Sequence, residues 1–129
     1  MRDLLSRQQP HPVFSEVAIL RLPCVKSWKI PLYLDVGPSD PAGRSLGQEI
    51  GVQKHWYERF GAELCCAGDD FWQFRVARPT RDHAAAMELL REHYLYEWID
   101  GAYEAEALAN GAAQLRVDTH WRFFSANAV

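Results

Sequence analysis

Breakers punctuate this chain so closely that no long repetitive element survives between them. Gly37-Pro38-Ser39-Asp40-Pro41-Ala42-Gly43 is turn chemistry throughout, Gly61 and Gly68-Asp69-Asp70 follow, and Pro79 and Asp100-Gly101 complete the series. Proline fixes φ and lacks a donor, glycine opens the left-handed region, and aspartate bonds turn backbone, so each cluster ends what precedes it. The segments left between them are the size of one helix or one strand. Such a chain folds as a mixture of short elements.

After the long turn, Leu46, Ile50, Tyr57 and Phe60, with Gln53 between, recur at three- and four-residue spacings. This predicts a helix from about Ser45 to Phe60, stopped by Gly61 and weakened near its start by Gly47 and Gly51. Ala62 to Cys66 and Phe71 to Val76, joined by Gly68-Asp69-Asp70, read as a hairpin. Thr80 is the expected N-cap of a second helix with Asp82 in its first turn, and His83, Met87, Leu90, Tyr94 and Trp98 form its stripe, with Ala86 beside them. Beyond Asp100-Gly101, the alanine-rich run Ala102 to Ala113 is helical by propensity, with Ala105, Leu108 and Ala112 at core spacing. His120 to Phe124 reads as a last strand.

The first third is patterned for strands. Val17 and Ile19 mix with Glu16 and Arg21 in a segment from Val13 to Leu22 that Pro23 ends, and Ile30, Leu32 and Leu34 alternate with Pro31, Tyr33 and Asp35 in a second, from Lys29 to Val36. Pro31 would place that one at an edge or make it start late. Pro10 and Pro12 make residues 1–12 an arm ahead of one domain, 13–129. The expected fold class is α+β, a single compact domain with two or three helices packed on a mainly antiparallel sheet.

A length of 129 residues suits a single core, and a net charge of -3 argues against a nucleic-acid partner, which needs clustered Lys and Arg. No apolar run approaches membrane-spanning length, and no signal core precedes the domain. Cys24, Cys65 and Cys66 are an odd set with one adjacent pair, unlike a secreted disulfide framework, so the expected location is the cytoplasm. In a regular strand Cys65 and Cys66 point to opposite faces, which makes the pair a poor chelate and a packing feature.

Histidines stand at 11, 55, 83, 93 and 120, without the spacing of a metal-ligand motif. His83 and His93 would lie roughly 15 Å apart along a helix, too far to share an ion. No G-x-S-x-G elbow is present, and the glycines form neither a P-loop nor a G-x-G-x-x-G fingerprint. Asp69-Asp70 reads as a turn former. No metal and no cofactor are expected.

The stretch Glu92 to Glu106 interleaves acids and aromatics without a Lys or Arg. Tyr96, Glu97, Trp98, Asp100, Tyr103, Glu104 and Glu106 are its candidate partner-binding residues: the acids would steer a basic protein and the aromatics would supply desolvated contact. The plainer reading stands beside it, with Tyr94 and Trp98 as the buried face of a helix and the acids as its solvated face.

Trp56-Tyr57-Glu58-Arg59-Phe60-Gly61-Ala62-Glu63, then Asp70, Val76-Ala77-Arg78-Pro79, Ala86 and Glu92-His93-Tyr94, together resemble a bacterial family, domain of unknown function 4253, over about residues 50 to 124. Leu108-Ala109 and Trp121-Arg122-Phe123-Phe124 look like its closing segment. Glu97-Trp98-Ile99-Asp100 stands where the family pattern has Cys-Pro-Asp, and Phe124-Ser125-Ala126 replaces a final Trp-Trp-Asp. By analogy with small acidic bacterial domains that accompany secreted toxins, the resemblance and the acidic stretch together imply a non-enzymatic immunity protein. It would occlude the active site of a cognate, basic toxin encoded by an adjacent gene. The alternative is a small enzyme or ligand-binding domain with a pocket between sheet and helices, using His55, His83, Glu92 or His93. A third is a homodimer joined through aromatic residues. A concave apolar site with convergent polar groups would favour the pocket, and an exposed apolar patch rimmed by acids would favour the inhibitor.

Overall fold

The computed structural model describes residues 16–38, 43–97 and 105–125. Helix α1, Leu46–Phe60, starts from a capping box: the Ser45 hydroxyl accepts from the Gln48 amide at 3.1 Å and the Ser45 amide donates to Gln48 Oε1 at 2.8 Å. It ends at Gly61, where φ is 61° and the amide bonds back to the Tyr57 carbonyl at 2.8 Å. A Cβ there would lie 2.8 Å from that of Ala77, so close packing on the strand exit also calls for glycine.

Strands β1, Ala62–Gly68, and β2, Phe71–Val76, form the expected hairpin around Asp69-Asp70, and β3, His120–Phe124, pairs antiparallel with β2 in register Phe71↔Phe124 to Arg75↔His120. The order β1-β2-β3 leaves β1 and β3 at the edges. Between β2 and β3 come α2, His83–Glu97, and α3, Ala105–Leu115. The molecule is thus α+β, with an antiparallel sheet and helices in one compact domain.

The sheet buries Leu64, Trp72, Phe74, Val76, Trp121 and Phe123 against Trp56 and Phe60 of α1 and Leu89, Leu90 and Tyr96 of α2. α3 packs on α2 where Gly111 lets Leu90 approach; a Cβ on Gly111 would stand 3.0 Å from Leu90 Cδ2. Among the described residues no helix is long and apolar enough to cross a membrane.

Several sequence expectations are corrected. Residues 16–22 join no strand ladder, and the second expected strand is instead a 3-10 helix, Ser27–Leu32, with Pro31 buried inside it. Alternation is necessary for a strand, but a ladder partner makes one, and the fixed φ of Pro31 is equally at home in a tight helical turn. The described part of the first segment leaves Val17, Ile19 and Leu20 exposed. Residues 13–15 and the arm 1–12 lie outside the described residues.

Asp82 rather than Thr80 caps α2: its Oδ2 accepts from the Ala85 amide at 3.0 Å, and an anion at that end also meets the helix dipole. The buried stripe of α2 is Ala86, Leu89, Leu90, His93 and Tyr96. His83 is exposed and Met87 and Tyr94 are half-buried, because apolar residues surround much of this helix and the core selects the face that carries both Leu89 and His93. On α3, Ala112 and Leu115 are buried and Ala105 is exposed.

Candidate functional site

Two adjacent pairs, His55-Trp56 on α1 and Glu92-His93 on α2, meet between the helices. Neighbours on a helix are about 100° apart, so each pair sends one side chain into the core and one toward solvent. Trp56 is 1% exposed, stacked on Phe123 at 5.3 Å and edge-on to Phe74, Trp121, Tyr96 and His93. His93 lies 4.6 Å from the Trp121 ring and 4.9 Å from Phe123, and its Nε2 meets no hydrogen-bond partner among the described residues. Burial among these rings pushes its pKa down to about 3, so it is a neutral core histidine.

His55 and Glu92 face the other way, into a cleft of about 670 Å³ between α1 and α2. Glu92 organises its polar end. Oε2 accepts from Trp56 Nε1 at 2.9 Å, while Oε1 lies 3.3 Å from His55 Nε2 and 3.9 Å from Arg59 Nη1. One carboxylate therefore ties the core tryptophan to the cleft histidine. The apolar lining comes from Val52, Leu95 and Tyr96, and Gly51 leaves the α1 wall bare, since nothing among the described residues lies within 4 Å of where its Cβ would be.

The opposite end of the cleft is held by a second carboxylate. Glu49 Oε1 accepts from the Tyr96 hydroxyl at 2.6 Å and from Trp72 Nε1 at 3.0 Å, and Oε2 lies 3.4 Å from Arg44 Nε. The Arg44 guanidinium sits 4.0 Å from the Tyr96 ring centroid and donates to the Tyr96 carbonyl at 3.2 Å. Burial first, and the charge of Glu49 second, push the Tyr96 hydroxyl far up, so it remains a donor. Glu49 thus joins α1, the sheet and α2 at one point.

This arrangement can bind a molecule with an apolar body and polar groups, since Arg44 and Gln48 line the cleft along with His55 and Glu92. With Nε2 engaged by Glu92, His55 keeps Nδ1 for a second hydrogen bond, and the volume lies in the range of small-molecule sites. Among the described residues no group of three or more His, Cys, Asp or Glu side chains is placed to hold a metal ion.

Of the sequence-predicted partner residues, Tyr96 is 7% exposed and belongs to the core. Glu97 is half-buried at the end of α2, where burial pushes its carboxyl up to about 7, and Glu106 is exposed in the first turn of α3. Trp98, Asp100, Tyr103 and Glu104 lie outside the described residues. From the alternative set the fold brings His55 and Glu92 together, leaves His93 behind them in the core and places His83, exposed, at the start of α2. Sequence reasoning missed Arg44 and Glu49. The available signal was an acid and an amide, Glu49 and Gln53, on the same stripe as Trp56 and Phe60.

Comparison with curated proteins and with solved structures gives no match. The profile of a domain of unknown function, DUF4253, matches residues 18–124, which span the sheet, all three α-helices and both carboxylate centres. By that match the chain belongs to the DUF4253 family.

Proposed function

We propose that the protein binds a small amphipathic molecule in the cleft between α1 and α2. The observation that carries this reading is the convergence of His55 and Glu92 on one end of a cavity whose lining joins the apolar Val52 and Leu95 to the polar Arg44 and Gln48. Such a site buries the apolar body of a ligand against Val52 and Leu95 and orients its head by hydrogen bonds. A thermal-shift screen of small aromatic and alicyclic acids, amides and amines tests it, with Gly51→Leu as the matched control. The leucine projects into the cleft from a helical position that favours it over glycine. Compounds that stabilise the wild type and not Gly51→Leu support the cleft; equal shifts in both proteins, or none in either, refute it.

A second reading is favoured by Leu95, 75% exposed beside the cleft, and by exposed Glu106 on the same acidic stretch. In it the protein is a non-enzymatic immunity-type inhibitor whose acids, Glu97, Asp100, Glu104 and Glu106, steer a basic toxin toward Trp98 and Tyr103. Co-expression with the products of adjacent genes tests it: stoichiometric capture of a neighbour that is toxic alone supports inhibition. Charge reversal at Glu97 and Asp100 together should then slow association and weaken its salt dependence.

A further inference from the structure

The vicinal thiols Cys65 and Cys66 do not alternate across the sheet. The β1–β2 register shifts between Leu64 and Cys66: Leu64 pairs with Phe74, Cys66 pairs with Gln73, and Cys65 is the extra residue of a β-bulge. Leu64 and Ala67 on either side contribute to the core, whereas Cys65 and Cys66 do not. Directly opposed residues share a face, and Gln73 accepts from Arg122 on the side away from the helices, so Cys66 is on that side as well. Cys65 is exposed and directs its Sγ to the Gln73 carbonyl at 3.4 Å. Both cysteines line one groove of about 500 Å³ beside residues 16–22. The bulge therefore reverses the sequence expectation that the pair splits between two faces.

We infer that Cys65 and Cys66 form a two-thiol site for a monosubstituted trivalent arsenical or a chemically equivalent thiophile that needs two sulfurs. A direct disulfide between neighbours is disfavoured, since consecutive Cα atoms across a trans peptide are about 3.8 Å apart and disulfides prefer about 4.4 to 6.8 Å. An interposed atom enlarges the ring by one member and removes that mismatch. Cys24, the remaining cysteine, does not line the groove. Partial burial and the neighbouring Cys66 both push the Cys65 thiol up, which disfavours nucleophilic chemistry by a Cys65 thiolate. The reaction balances without an oxidant: R–As=O and two S–H groups give R–As(S)₂ and one water, with two As–S bonds formed and the As=O bond lost.

The test is intact-mass spectrometry of the reduced full chain after incubation with phenylarsine oxide, followed by challenge with excess 2-mercaptoethanol and then with 2,3-dimercaptopropanol. Wild type and Cys24→Ser should each hold one arsenical through the monothiol and release it to the dithiol. Cys65→Ser and Cys66→Ser, checked for native circular dichroism, should each lose retention. Either variant holding the arsenical through monothiol challenge, or loss of retention in Cys24→Ser, overturns the assignment. Failure of wild type to form the adduct overturns it too.

Discussion

His55-Trp56 and Glu92-His93 place a dry and a wet environment one residue apart. On the dry side His93 is neutral and surrounded by rings; on the wet side His55 is half-exposed and paired with a carboxylate. The same residue type is thus a packing element in one place and a cleft-facing group in the other, and helical phase alone separates them. Trp56 belongs to both sides, with its ring in the core and its Nε1 on Glu92.

The sharpest way to break this contrast is Trp56→Ala. Removing the ring around which Phe74, Trp121, Phe123, Tyr96 and His93 pack should cost about 3–5 kcal/mol, a large share of the stability of a domain this size. Urea unfolding measures it. A loss below about 1 kcal/mol would mean that the aromatic cluster is not the centre of the fold.

Next in size is the acid response of His93. Its folded pKa of about 3 lies below the unfolded value near 6.5, so the fold favours the neutral ring. Its stability contribution is complete above pH 6.5 and declines as pH falls toward 3. By pH 4.5 the loss should be roughly 3 kcal/mol, two pH units at 1.36 kcal/mol each. Comparing urea midpoints at pH 7 and 4.5 for wild type and His93→Phe checks the sign: the variant should lose this component of the slope. An identical slope in both would assign acid sensitivity to other groups.

Tyr96→Phe probes the second carboxylate. It removes the 2.6 Å bond to Glu49 and leaves that acid to Trp72 and Arg44, at an expected cost of about 1.5 kcal/mol. A neutral result in urea unfolding would show that Tyr96 serves the core by its ring alone.

The legible parts of this fold are those fixed by local backbone chemistry. Gly61 and the Gly68-Asp69-Asp70 turn each specify a conformation within a few residues, and the stop of α1 and the hairpin followed. The first third failed because its alternation needed a partner strand that no local signal supplies, and because Pro31 fits a 3-10 turn as well as an edge. The phase of α2 failed because apolar residues surround much of that helix: a stripe through His83 and Tyr94 fits the spacing as well as one through Leu89 and His93, and packing in the core selects the second. The site was half-legible. His55 and Glu92 were among the candidates, but their 37-residue separation hides the pairing, and Glu49 is revealed only as an acid on an apolar stripe. The bulge at Cys65 has no sequence marker, since it arises from register with β2.

The smallest stability effect is the most diagnostic of function. His55→Ala removes a half-exposed ring from the cleft and leaves the Trp56–Glu92 bond intact, so unfolding free energy should move by no more than about 0.5 kcal/mol. Ligand retention should behave differently, because losing a directed hydrogen bond in a partly desolvated site costs about 1 kcal/mol or more, roughly fivefold in affinity. The two readouts separate the roles of adjacent residues: Trp56→Ala lowers stability and binding together, whereas His55→Ala lowers binding alone. If His55→Ala instead destabilises the fold by as much as Tyr96→Phe, then His55 and Glu92 are a structural clamp between α1 and α2. The division between a dry structural side and a wet binding side would then fail at its simplest test.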